Sequence, residues 1–261
     1  MAQSYVRVLG SADWQPTAGN DHSCYTVCDR VLIDACPSVV TNLLGQGVDP
    51  INASTICFTH MHSDHYMGLA PLLLYWRVRT ASLGGLTIIG PKATVRAGFE
   101  RALNFAFHDS RDLSAEIRQM PRIIELEGTT VCEVSGFRFN VMDSDHAVPG
   151  LCYRIEDAST GASVGFTGDT RYLDAFGGFF REVDLLVHEV SFGAGPLDEK
   201  VNAACRHSSA IEAVRVAAES NARALLLTHT YEPKRAGALE YARSELAIPV
   251  EWAEPGKVFA L

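Results

Sequence analysis

Short segments of alternating apolar and polar residues dominate the first half of the chain and predict β-strands. Segments 4–10, 23–29 and 30–35 follow this pattern, with the turn-prone residues 11–21 between the first two. Segment 54–59 is an apolar run, which predicts a buried strand. The beginning of the chain is therefore predicted to be mainly β-structure.

Helices are predicted after these strands. Residues 38–44 predict a short helix with Ser38 as its N-cap, closed by glycines. Residues 64–79 predict a longer helix that is interrupted near Pro71, and residues 86–90 predict a further strand.

Residues 91–120 are the least regular part of the chain. Their composition is helical, and they carry the aromatic residues Phe99, Phe105 and Phe107. We expect this segment to be a helical insertion or a lid.

The second half changes from consecutive strands to alternating strands and helices. Its first part predicts antiparallel strands at 122–127, 130–134, 137–145, 151–157 and 162–169. Its last part predicts strands at 184–189, 222–229, 249–253 and 257–261, and helices at 208–220 and 237–247. Strands in both halves with interspersed helices predict an α/β fold in which helices cover two sheets. No repeat or linker divides the chain, so residues 1–261 are predicted to form one domain.

The composition is that of an ordinary globular chain. Its 261 residues are 47% hydrophobic and 20% charged, without an apolar run long enough to span a membrane. No leader pattern is visible, so we expect a cytoplasmic protein without membrane association. The 22 Lys and Arg residues against 31 Asp and Glu residues give a formal net charge of −9. Because this charge repels phosphate backbones at long range, we expect no long nucleic acid as a partner.

Seven cysteines occur without a Cys-X-X-Cys pair, which predicts reduced thiols. Several lie in apolar segments, where cysteine behaves as a small hydrophobic residue. Cys24, Cys28 and Cys36 form a cluster, and a further metal site there is the alternative interpretation.

The segment from Thr59 to His65 carries the strongest chemical signal. It places four metal-binding side chains in one turn directly after an apolar strand: His60, His62, Asp64 and His65. Imidazole nitrogens and carboxylate oxygens suit zinc, and also iron or manganese. Such polar groups beside apolar strands are costly to desolvate without a cation. Because alternate residues point to different sides, they cannot all reach one ion, and two divalent metal ions are predicted, with zinc favoured.

The pattern His-X-His-X-Asp-His resembles the signature loop of the metallo-β-lactamase superfamily. The other signature residues stand in the expected order, since Asp34 ends the strand before the loop, and His146, Asp169 and His229 each end a later apolar strand. The resemblance covers nearly the whole chain from Asp34 to His229. It implies the α/β metallo-β-lactamase fold, a four-layer αβ/βα sandwich of two mixed sheets flanked by helices.

The resemblance also implies a ligand set for two metal ions. His60, His62 and His146 would hold the first ion, Asp64, His65 and His229 would hold the second, and Asp169 would bridge them. Asp34 would accept a proton from a ligand imidazole and fix its tautomer, and the alternative is that it only closes a turn. A hydroxide shared by the two ions would attack the substrate, and Asp64 is assigned to the catalytic residues as well.

Two further segments narrow the resemblance to the tRNase Z-like branch. His-Glu-Val-Ser-Phe at 188–192 and Arg-His-Ser-Ser-Ala at 206–210 are similar to a His-Glu-Ala-Thr-Phe segment and a later His-Ser-Thr segment of that group. The resemblance implies that His207, oriented by Glu189, acts on the transition state or the leaving group. The alternative is that His207 only precedes a helix cap formed by Ser208.

Two features depart from true tRNase Z. The interval from His146 to Asp169 is too short for the long arm that grips tRNA in that family, and Asp-Ala-Cys-Pro at 34–37 replaces an acidic-glycine segment. The chain looks closer to the arylsulfatase-like and small phosphodiesterase relatives. Together with the negative charge, these features predict that the chain does not process tRNA.

We therefore expect a dinuclear metal-dependent hydrolase of a small ester. Two divalent ions, two carboxylates and a hydroxide leave a positive cleft, which favours a small anionic or polar substrate such as a phosphodiester, a sulfate ester or an aryl ester. The alternatives are a lactone or β-lactam-type acyl hydrolase and, outside the enzymes, a non-catalytic metal-bound binding or regulatory module. The oligomeric state is left open, with a homodimer as one option.

Two more histidines are candidates for the cleft. His22 could line it from a loop, and His108 could contact substrate from the expected insertion. For each of them, an ordinary structural or surface role is the alternative.

Overall fold

The alternating segments of the sequence form the strands of two sheets. The computed structural model describes residues 3–107, 117, 119–196 and 198–261. Within them, the first sheet is built from β1 (Tyr5–Gly10), β2 (Cys24–Val27), β3 (Val31–Ile33), β4 (Thr55–Cys57), β5 (Thr87–Pro91), β6 (Arg122–Leu126) and β14 (Val258–Ala260). The second sheet is built from β7 (Thr130–Val134), β8 (Phe137–Asp143), β9 (Leu151–Asp157), β10 (Ser163–Phe166), β11 (Leu185–Glu189), β12 (Leu225–Thr228) and β13 (Val250–Trp252).

Each sheet is antiparallel in one part and parallel in the other. The strand order is β14-β1-β2-β3-β4-β5-β6 in the first sheet and β13-β12-β11-β10-β9-β8-β7 in the second. Strands β3 to β6 run parallel to one another, and so do strands β10 to β13. In each sheet, the parallel strands therefore have their carboxyl ends at the same edge.

Helices cover the outer face of each sheet. They are α1 (Val39–Gly45), α2 (Ser63–Tyr66), α3 (Leu69–Thr80), α4 (Val95–Phe107), α5 (Phe176–Phe179), α6 (Glu199–Cys205), α7 (Ala210–Ser220) and α8 (Glu232–Glu245). Leu73 and Phe99 pack with residues of the first sheet, whereas Phe176 and Val216 pack with residues of the second. The expected four-layer αβ/βα sandwich of two mixed sheets is confirmed. None of the helices in the described part of the chain is long and apolar enough to cross a membrane.

The two sheets pack against each other through their inner faces. On β8, Phe137, Phe139 and Val141 are buried, whereas Arg138 and Asn140 between them are more exposed. This alternation has the period of two that a strand with one apolar face requires. The buried side chains join those of the first sheet in one cluster, which forms the central core.

The break in the helix expected over residues 64–79 lies elsewhere than predicted. The helix is interrupted at Met67 and Gly68, between α2 and α3, and not near Pro71, although both residues keep right-handed helical backbone angles. Pro71 lies in the first turn of α3, where its missing N–H would have no helical partner in any case. Gly68 is required because a side chain there would clash with the carbonyl oxygen of Cys36.

Other helix boundaries also differ from the predictions. Ser38 precedes α1, but its side chain makes no capping hydrogen bond, and its backbone N–H donates to the Asp21 carboxylate at 2.8 Å. Helix α8 begins at Glu232, ahead of the expected residues 237–247, because Pro233 in its first turn favours a helix start. Helices α5 and α6 were not predicted, since segments this short show no helical period.

Part of the expected insertion forms α4. Val95, Phe99 and Phe107 of this helix are buried, whereas Phe105 is exposed. Residues 108–116 and 118 lie outside the described residues, and so does the substrate contact expected of His108. A lid formed by this segment stays a prediction.

The cysteines are free thiols, as the sequence indicates. Cys24, Cys36, Cys57 and Cys152 are buried, where they pack as small apolar residues. In the described part of the chain, the side-chain groups close enough to share a cation contain no cysteine. The alternative of a cysteine metal site therefore receives no support.

Tyr153 links the second sheet to the segment that follows β4. Its fully buried hydroxyl donates a hydrogen bond to the carbonyl oxygen of Phe58 at 2.7 Å. We predict that Tyr153→Phe lowers the free energy of unfolding by about 1–3 kcal/mol, because a buried carbonyl loses its donor. Urea unfolding followed by circular dichroism measures this change. Tyr172→Phe, which removes an exposed hydrogen bond to Glu219, should cost less than about 0.5 kcal/mol, and equal losses in both variants would contradict the prediction.

Candidate metal centre

The candidate site residues of both sheets meet at the carboxyl ends of strands. They are Asp34 after β3, His60 after β4, His62, Asp64 and His65 at α2, His146 after β8, Asp169 after β10, Glu189 at the end of β11 and His229 after β12. His207 lies in the connection between α6 and α7. Because strand ends are rigid, each side chain is held in a defined direction.

The backbone turns sharply at several of these positions. Asp34 and His229 have positive φ angles of 56° and 55°, which residues other than glycine adopt rarely. Gly168 turns the chain just before Asp169 with a φ of 58°, and a Cβ atom there would lie 2.8 Å from the Cβ atom of Thr59. Such conformations persist only where the surrounding structure enforces them, and they cluster at functional sites.

The structure brings the first three candidate ligands together. His62 Nδ1 lies 3.0 Å from His60 Nε2 and 3.1 Å from His146 Nε2. Two nitrogens bound to one tetrahedral zinc ion are roughly 3.3 Å apart, given Zn–N distances of about 2.0–2.1 Å. The three nitrogens therefore fit one ion.

The second group of candidate ligands is equally close. His65 Nε2 lies 3.3 Å from Asp64 Oδ2 and 3.3 Å from His229 Nε2. His229 Nε2 and Asp64 Oδ2 are 3.7 Å apart. These three atoms fit a second ion of similar coordination.

Asp169 lies between the two groups. Its Oδ2 atom is 3.8 Å from His60 Nε2, 3.6 Å from His65 Nε2 and 3.4 Å from His229 Nε2. One carboxylate therefore faces nitrogens of both groups, which is the position that a bridging ligand requires.

Burial and neighbouring charges set the protonation of the centre. Burial holds the pKa of His60 well below its ordinary value. Burial would raise the pKa of Asp169, but the adjacent His229 and His65 hold it well below its ordinary value. Burial would lower the pKa of His65, but Asp169 and Asp34 raise it well above its ordinary value. A divalent cation would displace the proton that these carboxylates favour on His65, because metal ligands bind in their deprotonated forms.

Asp34 contacts His65, a member of the second group, at the ring nitrogen that faces away from the other candidate ligands. Its Oδ2 atom lies 2.8 Å from His65 Nδ1, and its Oδ1 atom accepts the backbone N–H of Thr59 at 2.8 Å. A carboxylate in this position holds the hydrogen of the imidazole on Nδ1 and leaves Nε2 free for a metal ion. The role expected of Asp34 stays a prediction.

His207 lies beside this centre and pairs with a buried carboxylate. Its Nδ1 atom is 2.9 Å from Glu189 Oε1 and 3.8 Å from Asp169 Oδ2. Burial would lower the pKa of His207, but the charge and hydrogen bond of Glu189 raise it to about 9. Divalent cations at the neighbouring site would lower this pKa again, since they repel a second positive charge.

The helix cap expected at Ser208 is wrong. Ser209 caps α7, since its hydroxyl accepts the N–H of Ile211 while Glu212 accepts the N–H of Ser209. The hydroxyl of Ser208 instead donates to the carbonyl oxygen of Thr170 at 2.7 Å.

Sequence reasoning missed residues that hold the site together. Thr59 and Ser191 place hydroxyls against candidate histidines, and the carbonyl oxygen of Arg206 lies 3.2 Å from His146 Nδ1. The first two lie inside the motif segments, which was the available signal. Arg206 is the first residue of the motif segment at 206–210, but its part in the site is played by a backbone carbonyl, which the residue type does not reveal.

His22 does not join the candidate ligands. Its Nδ1 atom lies 2.6 Å from the carbonyl oxygen of Asp13, and the ion-sharing groups found among the described residues do not include it. A cleft of about 440 Å³ opens instead beside His146, and Lys92, Pro149 and Arg206 are among its lining residues.

Comparisons with known proteins agree with this geometry. A family model described as "Beta-lactamase superfamily domain" matches residues 29–230. Ribonuclease Z of Myxococcus xanthus is 27% identical over 95% of this chain and 94% of its own length. The metallo-beta-lactamase fold protein YhfI of Bacillus subtilis superposes with a TM-score of 0.84 over the whole of both chains at 24% identity. The short form of human tRNase Z superposes with a TM-score of 0.74 over 98% of both chains at 20% identity, which shows a shared fold.

These comparisons overturn the expected partners. The expectation of a small-molecule substrate and of no long nucleic acid is wrong, because a relative that matches nearly the whole chain is named a ribonuclease. Net charge is a sum over the whole surface and does not fix the potential at one cleft. Near His146, Arg171 and Arg206 both pair with Asp145, so cationic side chains stand beside the candidate site although the chain is acidic as a whole. The short interval between His146 and Asp169 excludes one long arm and not a class of substrate.

Removal of Asp169 should affect metal binding more than removal of Asp34. We predict that zinc-equilibrated protein holds about two ions per chain, and that Asp169→Ala loses most of both because it removes the shared ligand. Asp34→Asn should weaken binding by roughly 10–100-fold without abolishing it. Elemental analysis after gel filtration measures the metal content of each variant. Asp174→Ala, which removes an exposed aspartate, is the control. Full metal content in Asp169→Ala would refute the bridging position.

Proposed function

The chain belongs to the metallo-β-lactamase superfamily and is a metal-dependent hydrolase, and on this premise we propose that it cleaves phosphodiester bonds in RNA. The observation that carries the proposal is the pairing of His207 with Glu189 at 2.9 Å, directly beside the candidate ligands. The prediction of an enzyme is confirmed, so the alternative of a non-catalytic binding module falls away. Ribonuclease Z relatives favour an RNA phosphodiester over the sulfate, aryl, lactone and β-lactam substrates.

We infer that the resident group is a pair of divalent ions, with zinc as the favoured element. His60, His62 and His146 would hold one ion, Asp64, His65 and His229 would hold the other, and Asp169 would contact both. When bound, such a pair supplies a nucleophile of lowered pKa and positive charge for the phosphate oxygens.

The protein side chains supply the proton for the leaving group. Departure of a ribose oxygen from phosphorus requires protonation, because an alkoxide is a poor leaving group. His207 Nδ1 is engaged by Glu189, so the Nε2 atom is the one that can deliver a proton. Glu189 is buried, and its carboxylate stabilises the charged imidazole before transfer and fixes the orientation of the ring.

Two arginine side chains near His146 are the candidates for contacts with phosphate groups. Arg206 is partly exposed beside the cleft, and it contacts both Asp145 and the carbonyl oxygen of His146. Arg171 approaches the same carboxylate from the loop after Asp169. The guanidinium groups of Arg171 and Arg206 have the geometry to bind phosphate oxygens. Glu127 and Asp143 also line the cleft beside His146, so the lining as a whole has no excess of positive charge.

RNA cleavage by the metal-loaded protein tests the proposal. We predict hydrolysis of a precursor tRNA at low enzyme concentration, complete loss of cleavage after chelation, and recovery when zinc or manganese is added back. Gel electrophoresis of end-labelled RNA measures the products, and Asp169→Ala serves as a control for contaminating nuclease. Failure to cleave RNA by protein that holds its metal and hydrolyses another ester would overturn the assignment.

Replacement of His207 should separate substrates by their leaving groups. We predict that His207→Ala slows RNA cleavage by roughly 10²–10⁴-fold, because the leaving ribose oxygen needs a proton. Hydrolysis of bis(p-nitrophenyl) phosphate should fall much less, since nitrophenolate leaves without protonation. Steady-state rates on both substrates, with metal content measured in parallel, test this contrast. Equal loss on both substrates at full metal content would instead indicate stabilisation of transition-state charge.

A further inference from the structure

We propose that Ser191 is a positioning residue whose hydroxyl fixes the tautomer of His229 and so sets the affinity of the second metal group. This group comprises Asp64, His65 and His229. Ser191 lies two residues after Glu189, in the connection that follows β11. The chemistry proposed above gives it no role.

The Ser191 hydroxyl stands where the proposed acid and the second metal group meet. Its oxygen lies 2.6 Å from Glu189 Oε2, 3.0 Å from His229 Nδ1 and 3.2 Å from His207 Nδ1. It also lies 3.2 Å from the backbone carbonyl oxygen of His229. A single hydroxyl therefore contacts the carboxylate, the proposed acid and a proposed ligand.

The number of available hydrogens determines which atom donates in each contact of the Ser191 hydroxyl. Glu189 accepts donors on both oxygens, since Thr170 N–H and His207 Nδ1 lie 2.9 Å from Oε1, and Ser191 N–H lies 3.1 Å from Oε2. An ionised carboxylate has no hydrogen to give, so the hydroxyl must donate its single hydrogen. The 2.6 Å contact to the carboxylate is much shorter than the 3.2 Å contact to the His229 carbonyl, which identifies Glu189 as the acceptor.

The consequence for His229 follows directly. The Ser191 oxygen can face His229 Nδ1 only as an acceptor, so the imidazole carries its hydrogen on Nδ1. The lone pair of Nε2 is then free, and this atom lies 3.4 Å from Asp169 Oδ2 and 3.7 Å from Asp64 Oδ2. A ligand imidazole needs this tautomer to bind a cation through Nε2.

The first sheet contains the same arrangement. Thr59 Oγ1 lies 2.8 Å from Asp34 Oδ2 and 3.1 Å from His60 Nδ1. A buried carboxylate again takes the hydroxyl hydrogen, and the hydroxyl again accepts from the Nδ1 atom of a candidate ligand. Two occurrences on different sheets favour tautomer control over incidental packing.

A metal titration tests the inference, which rests on the proposed ligand role of His229. In competition with a chromophoric zinc chelator, Ser191→Ala should weaken one of the zinc equivalents by roughly 10–100-fold and leave the other unchanged. Ser191→Thr, which keeps the hydroxyl, should restore wild-type affinity. Ser220→Ala removes a buried hydroxyl that bonds only within α7, and it should change neither equivalent. Wild-type affinity for both equivalents in Ser191→Ala would overturn the inference.

A spectroscopic readout covers the case in which Ser191→Ala does not fold. Long-range ¹H–¹⁵N spectra of the zinc-loaded wild-type protein should show the His229 hydrogen on Nδ1, protected from exchange with water. In a folded Ser191→Ala variant that hydrogen should exchange faster, and in Ser191→Thr it should stay protected. A His229 hydrogen on Nε2 would refute the inference. Because neither measurement uses a substrate, an absence of RNA cleavage would count against the proposed function alone.

Discussion

One constraint governs the structure. Imidazoles and carboxylates are buried together at one end of the sandwich, and each of them needs a polar partner. His60, His65, Asp169 and His229 are all nearly inaccessible to solvent, and their polar atoms lie within hydrogen-bonding or ion-pair distance of one another. Buried polar groups of this kind are tolerated only when each has a partner. Cations would pair with the nitrogen and oxygen atoms that face the centre of the site. Asp34, Thr59 and Ser191 pair with the imidazole nitrogens that face away from it.

Each sheet has parallel strands in one part, and this arrangement allows the chain to bring the imidazoles and carboxylates together. Parallel strands end at a common edge, so residues far apart in sequence arrive side by side without long loops. His65, for instance, lies in the helix that follows β4 of the first sheet, and His229 follows β12 of the second sheet, yet their Nε2 atoms are 3.3 Å apart. The packed faces behind these strand ends, with Phe139 and Tyr153 fully buried, keep them from shifting. The fixed positions of the site residues therefore depend on the packing of the core behind them.

The strands, and the loop in which four candidate ligands lie together, could be predicted from the sequence because both follow local patterns, whereas His146, Asp169 and His229 were selected through the family resemblance. Alternation along β8 and the spacing of the loop that carries His60 are visible without any tertiary information. The contribution of Ser191 was not predictable, because its meaning depends on where Glu189 and His229 lie in space. Helices α5 and α6 were missed because they are too short to show a period. The expected small-molecule partner was wrong because net charge is a sum over the whole surface and does not identify the ligand of one cleft.

The division of the candidate ligands between the two sheets has a consequence for biosynthesis. When the ribosome has released His60 to His65, this loop already presents several donors, but its partners after β8, β10 and β12 are not yet available. Contacts across such long stretches of chain form late, after the core of both halves has assembled. A chain that is synthesised only as far as this loop therefore lacks at least one donor of each candidate group, so tight binding of an ion would require the complete fold.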